Sequence, residues 1–491
     1  MTVETRRRSH AGIRMNEKDS KEIAYDNHHD FHPDPAVIAR LRRKIDWHLL
    51  PLLSLMYLFS FLDRVNIGNA KVAGLEKDLN LTPSEYSWAL SIFFIGYIIA
   101  EVPSQMLLKK VGPRKWISGC MFVWGTLTML LAACKTAASL YATRFFLGIF
   151  EAVGVKDSSN ANALFPGAVF VISLFYSRGE QALRNGLFFS TATMAGAFGG
   201  ILAYGIAQMD GVRGLHEGLP TVLLCFVTIV YLPDYPQTAH FLSQDERDLA
   251  VKRLLVDAGP ATQDDFSWPQ FRSVFVDWKV YMHAFPYILT MTPLYALALF
   301  LPTLVREFSF DPITSQLMTA PAYAIACLAT ILVAVSSDHY RERGLHYAMP
   351  TLLAIFGYIL LIVLEHKSAA VRYIGLTVTV SGVFSAVPSM VAWVSSNFGG
   401  HTKRAVATGV IISFGNCGGL ISGHIYTQGH TTRGHVISLV MLCVSFCLIL
   451  LLKFLYIREN KRRRNLTPEE FEKESQGEDL CDWHPAFIYI S

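Results

Sequence analysis

The sequence predicts an all-α membrane protein with twelve transmembrane helices in two six-helix bundles, and three observations lead there. The chain of 491 residues is 52% hydrophobic and only 17% charged, against about 25% charged residues in an average soluble domain. Apolar runs near the roughly 20 residues needed to cross hydrocarbon recur along it. A polar segment from Pro233 to Asp277 divides those runs six and six, and every second loop between them is basic, as at Lys109-Lys110, Arg341 and Arg343, and Lys403-Arg404. Under the positive-inside rule the basic loops and both tails share the cytoplasmic side, which requires an even number of spans.

In chain order, residues 1–48 read as a disordered cytoplasmic tail. They are polar and hold no cleavable signal peptide, so the first span itself must direct insertion. The first bundle, 49–232, contains clear spans at 49–68, 87–108, 116–134 and 185–207. Two of its regions are defective. Residues 139–152 and 164–176 are each too short to span alone and enclose the polar stretch 153–163, while 218–232 is a short span. Counting the first region as one interrupted span gives twelve and keeps the basic loops on one side; counting it as two gives thirteen and separates the tails.

The linker, 233–278, is expected to be cytoplasmic, with Ser243-Gln244-Asp245-Glu246-Arg247 opening an amphipathic, charge-laced helix. The second bundle, 279–457, has spans at 281–305, 314–336, 346–364, 373–396, 405–426 and 435–457, and residues 458–491 form a second cytoplasmic tail. Two such halves suit a carrier that rocks about a site at the midplane between them. Gly196 to Gly200 and Gly415 to Gly419 recur at corresponding positions, where close helix packing accounts for them. Eight scattered Cys imply no disulfide framework and no metal site.

The charged residues inside the spans are the candidates for function, because an Asp or Arg at a helix centre costs roughly 2.5 to 3.5 kcal/mol. Asp63 and Arg64 are adjacent in the first span, about 100° apart around the helix, so one can face a cavity while the other turns to a neighbouring helix. Arg144, Gly148 and Glu151 fall on one face of the fourth span, where the glycine is expected to leave a small aqueous notch. Such a set has the parts for coupled anion transport: an arginine to hold a carboxylate, and a buried acid to take up and release a proton. Two structural salt bridges that merely hold helices together are the alternative. Glu101 reads as a cap or loop partner, and Asp338 as part of a latch at the cytoplasmic mouth. Tyr295, Asn397 and Asn416 read first as helix-to-helix hydrogen bonds, with Asn416 also a pocket candidate.

Several segments resemble a known family: Leu62-Asp63-Arg64-Val65-Asn66-Ile67-Gly68, Glu101-Val102-Pro103-Ser104, Val111-Gly112-Pro113-Arg114-Lys115-Trp116, Arg144-Phe145-Phe146-Leu147-Gly148, Leu232-Pro233-Asp234-Tyr235-Pro236 and Gly400-His401-Thr402-Lys403-Arg404. From about Leu41 to Arg464 the chain is similar to the fungal allantoate permease and nicotinate transporter branch of the major facilitator superfamily, among the anion:cation symporters. The resemblance implies a multi-pass, monomeric, proton-coupled carrier of a small organic anion in the plasma membrane. It needs no cofactor beyond the coupling proton and has no nucleic-acid partner. It also implies that Asp63 and Glu151 are proton sites and that Arg64 and Arg144 serve substrate binding and charge balance; Asn66, Tyr295 and Asn416 are added as substrate-site candidates, and Gly112, Arg114, Asp338 and Arg341 as gating candidates.

The chain departs from the family's pattern at the insert 153–163, at the junction around 214–220, and in the short loop 427–434. Lys109-Lys110 also stand where the family's first-half latch carries an acid. An exporter of an acidic metabolite, or a non-transporting sensor or defective carrier with an interrupted fourth helix, are the competing functions. No metal-spaced His/Cys cluster, nucleophile elbow or phosphate loop points to an enzyme.

Overall fold

The computed structural model describes residues 34–111, 113–151, 171–172, 175–177, 180–208, 219–233, 236–258, 267–426, 431–477 and 480–491. The insert 153–163, Gly112, residues 214–218 and most of the shortened loop before the last span lie outside the described residues, as do the side chains of Glu101 and Arg114.

Among the described residues the first half holds α1 (Pro35–Ala73), α2 (Pro83–Val111), α3 (Pro113–Leu131), α4 (Ala137–Glu151), α5 (Gln181–Gln208) and α6 (Leu219–Tyr231). Two linker helices follow, α7 (Gln244–Ala258) and α8 (Trp268–Val276). The second half holds α9 (Trp278–Arg306), α10 (Thr319–Tyr340), α11 (Gly344–Val363), α12 (Ala369–Asn397), α13 (His401–Ser422) and α14 (Thr431–Arg464), and α15 (Pro468–Ser475) lies in the tail. No strand occurs among the described residues.

Helix α1 begins well ahead of Leu49, so part of the sequence expected to be disordered tail is helical. Asp34 caps it by accepting the Ala36 N–H at 2.8 Å, and Pro35 occupies the first helical position, where a missing N–H costs nothing. Leu41, Ile45 and Leu49 recur every four residues and are all buried. The polar residues between them are engaged as well: Lys44 pairs with Glu246 of α7 at 2.5 Å, and Asp46 with Arg184 of α5 at 2.9 Å. A reading based on apolar runs stops where these charges begin.

Helix α7 starts with a reciprocal cap, the Ser243 N–H donating to Glu246 at 2.8 Å and the Glu246 N–H to Ser243 Oγ at 3.3 Å. Its Arg253 reaches Glu180 at 3.2 Å and the Phe175 carbonyl at 2.9 Å, which fastens the linker to the first half. The linker face therefore carries α7, α8, the start of α1 and the end of α14; we call the other side the loop face.

The two halves meet along α1 and α9, α2 and α13, and α5 and α10. Toward the loop face, Gly68 of α1 lies directly on the Leu299 carbonyl of α9, where any β-carbon would collide with backbone. Ser91 of α2 donates to the Leu420 carbonyl of α13 at 2.9 Å. Lys71 stands 4.2 Å from the Tyr86 ring and 5.4 Å from that of Phe300 in the other half. Toward the linker face, the Leu183 N–H donates to Asp338 at 2.6 Å.

Candidate functional site

Arg64 of α1 and Glu151 of α4 meet where the two halves face each other. Ser60 and Arg64, one turn apart on α1, both address the Glu151 carboxylate of α4: Ser60 Oγ donates at 2.6 Å, and the Arg64 guanidinium bonds it at 2.5 and 3.2 Å. Arg64 and Glu151 keep only 6% and 1% of their side chains exposed. Breaking such a pair by removing one partner leaves an uncompensated buried charge, which costs about 3–5 kcal/mol.

The pair continues into the second half. Arg64 Nη1 donates to the Tyr295 hydroxyl of α9 at 3.3 Å, and that hydroxyl donates to Asn416 Oδ1 of α13 at 3.0 Å. A single chain, Glu151–Arg64–Tyr295–Asn416, thus links four helices from both bundles. The hydrogen bond first expected of Tyr295 and Asn416 is present, and it runs into the charged site.

Asp63 points elsewhere, as the angle around α1 requires. Its Oδ2 accepts from Trp124 Nε1 of α3 at 3.2 Å and from Thr221 Oγ1 of α6 at 3.1 Å. Adjacent residues therefore do different work, Arg64 facing the centre and Asp63 holding α1 to the outer helices. Asn66, two residues beyond Arg64 and about 200° around the helix, is half-buried.

Arg144 is completely buried. Its Nε donates to the Ala89 carbonyl of α2 at 3.3 Å, while Nη1 and Nη2 have no hydrogen-bond partner among the described residues. Buried guanidinium N–H groups are normally satisfied, so a fixed guanidinium with donors to spare is a ready receptor for an anion. The Phe93 ring lies between the two arginines, its centroid 5.0 Å from the Arg144 guanidinium carbon and 5.4 Å from that of Arg64. Tyr97, one turn on, and Tyr295 complete an aromatic wall around Arg64 at 5.3 and 5.8 Å.

Gly148 does not leave the expected aqueous notch. The Phe93 carbonyl of α2 fills that place, and Gly96 of α2 meets the Phe145 carbonyl of α4 in the reciprocal contact. The glycines let α2 and α4 touch backbone to backbone, which is what brings Phe93 between the arginines.

The gating residues separate. Asp338 accepts from Arg343 Nη2 at 2.7 Å as well as from the Leu183 N–H, so it joins the halves at the linker face. Arg341 is exposed and forms the left-handed C-cap of α10 with φ 51°, so Arg343 is the arginine paired with Asp338. Asn397 is not at the central site; it binds Ile490 of the tail. Ser60, Phe93, Tyr97, Trp124 and Thr221 are site residues that the sequence reading omits. The one signal available for Ser60, Phe93 and Tyr97 is helical spacing, Ser60 to Arg64 and Phe93 to Tyr97 both being one turn.

A sequence profile of the Major Facilitator Superfamily matches residues 53–423. The chain belongs to that superfamily. The transporter is 35% identical over 407 residues to the MFS transporter prlL of a fungal species, covering 80% of each chain. It is 29% identical over 471 residues to the high-affinity nicotinic acid transporter of Saccharomyces cerevisiae, covering 93% of this chain and 86% of that one. Its fold matches that of the proton:xylose symporter XylE with a TM-score of 0.63 at 14% identity, over 82% of this chain and 95% of that one. The protein is thus a multi-pass membrane transporter and not an enzyme, and its Arg64–Glu151 pair reaches across to the second half through Tyr295.

Proposed function

We propose that the transporter takes up a small organic monocarboxylate, of the nicotinate or allantoate kind, together with a proton across the plasma membrane. The observation that carries this reading is Arg144, fully buried with two guanidinium nitrogens unengaged, beside an Arg64 whose charge is held by Glu151.

Two carboxylates, Asp63 and Glu151, balance two guanidiniums, Arg64 and Arg144. An anion entering alone would leave a net negative charge in a low-dielectric site, which is costly. A proton on Glu151 removes that cost and releases Arg64, so that both arginines can face the carboxylate. The loaded site is then as neutral as the empty one, and either can reorient. Asp63, engaged by Trp124 and Thr221, serves as fixed balancing charge. The Tyr295–Asn416 link carries the change at Arg64 to α9 and α13. That a relative sharing four-fifths or more of its length with this chain is a nicotinic acid transporter supports the substrate class.

The test is uptake of labelled nicotinate and allantoate into transport-deficient cells at external pH 5 and 7. Acid-stimulated uptake of one of them, abolished as a pH response by Glu151→Gln, is the result expected. Uptake indifferent both to pH and to this substitution would contradict the reading.

A further inference from the structure

The tail beyond α15 is not loose. Residues 480–491 lie across the linker-face ends of four helices of the second half. At one end Asp482, fully buried, is held by Lys279 of α9 and by Lys403 of α13, the latter at 2.8 Å. Asp277, the N-cap of α9, shares both lysines, at 3.3 and 2.7 Å. At the other end Trp393 Nε1 and Asn397 Nδ2 of α12 donate to the Ile490 carbonyl at 2.7 and 2.8 Å, and the Ile490 N–H returns a bond to Asn397 at 2.7 Å. Between them, Asn460 of α14 pairs with both backbone groups of Tyr489, and the Tyr489 ring stacks on Tyr456 at 4.7 Å.

This segment also touches the linker. Gly400, with φ +71°, is pinched between Cys481 of the tail and Gln270 of α8. The Lys403 N–H donates to Gln270 Oε1, and the Ser267 N–H ahead of α8 donates to Thr402 Oγ1, each at 3.3 Å. Helix α7, earlier in the same linker, is fastened to the first half through Lys44 and Glu180. The tail thus clamps the part of the second half from which the linker departs. A cavity of about 490 Å³ between the tail and α14 has Lys279, Arg462 and Arg463 in its wall, each already paired with a carboxylate.

We propose that residues 480–491 are a detachable strap that brakes the exchange between the transporter's two access states, with Asp482 as its anchor. Docked, the strap ties the starts of α9 and α13, the ends of α12 and α14, and α8 into one arrangement. Without the Asp482 carboxylate, Asp277 alone faces two buried lysines, and the excess positive charge drives the segment apart. The brake depends on superfamily membership and not on which substrate is carried.

The test uses the full chain with its native cysteines replaced. A spin label at Ala486→Cys, an exposed strap position, reports docking. A label pair at Trp47→Cys and Tyr340→Cys, exposed on α1 and α10, reports the distance between the halves. In otherwise unchanged protein the strap label is expected to be immobile and the pair to give one dominant distance. Asp482→Asn is expected to raise the mobile fraction on the order of tenfold or more and to add a second inter-half distance, as does deletion of 480–491. Adding Lys403→Gln to Asp482→Asn restores neutrality and is expected to return both readouts most of the way, which a misfolded variant would not do. A mobile strap with an unchanged inter-half distance overturns the brake, and an immobile strap in Asp482→Asn overturns the anchor.

Discussion

At the residue scale, neighbouring side chains divide the work. The angle between Asp63 and Arg64 was legible in the sequence, because helical geometry forbids both from facing one way. Which of them faces the centre was not, since that depends on Trp124 and Thr221, which only the packing of α3 and α6 brings near. The pairing of Arg64 with Glu151 is likewise a tertiary fact, whereas the shared face of Arg144 and Glu151 follows from their spacing. Arg144→Lys keeps the charge but loses the planar fork. Loss of one charge-assisted bond, worth about 1.5 to 3 kcal/mol, is expected to raise the half-saturation concentration for uptake roughly tenfold or more. Initial-rate uptake at equal surface expression measures it, and an unchanged half-saturation would remove Arg144 from the binding site. At Gly148 the expectation concerns stability. A methyl group there meets the Phe93 carbonyl, so Gly148→Ala is expected to force α2 and α4 apart at a cost of about 1–3 kcal/mol, read as a lowered melting temperature of the purified protein.

Among the elements, the membrane helices could be read from their apolar runs and their ends could not. Helix α1 extends outward to Pro35 because Leu41, Ile45 and Leu49 form a stripe interrupted by charges that find partners on α5 and α7. The strap is not legible in the sequence, because Phe487 to Ile490 is too short to form an apolar run, and its anchor, Asp482, looks like any surface acid until Lys279 and Lys403 surround it. Burial would raise the Asp482 carboxyl, but the two lysine ammoniums outweigh it and hold the group below the ordinary aspartate range. Tyr489 of the strap itself donates to the same carboxylate, Asp277 at the N-cap of α9 shares its lysines, and Arg463 of α14 donates to the Asp482 main-chain carbonyl. A lowered carboxyl pKa gives stability that is complete above the unfolded value, about 3.9, and is lost only as pH falls through the folded value. The strap is therefore expected to stay docked from pH 7 to pH 5, with constant mobility of the label at Ala486→Cys, and to release only under stronger acid. Loosening between pH 7 and pH 5 would show that a group other than Asp482 controls it.

For the whole molecule, the division into two bundles around a linker follows from the polar segment and the alternating basic loops, and the structure adds the contacts that make the halves one machine. Gly68 on the Leu299 carbonyl and Ser91 on that of Leu420 join the halves toward the loop face, and Asp338 joins them at the linker face. Between these two levels lies the Glu151–Arg64–Tyr295–Asn416 chain, in which the Glu151–Arg64 pair adjoins the Arg64–Tyr295 bond that crosses the interface. On the proposed mechanism, charge balance requires that anion and proton travel together. The most direct measurement is proton entry into proteoliposomes containing the purified transporter and an internal pH indicator, on addition of external nicotinate or allantoate with no imposed gradient. Acidification of the lumen matching anion uptake one for one, and its absence in Glu151→Gln, is the predicted result. Anion uptake with no proton movement, or proton movement that persists in Glu151→Gln, would contradict it.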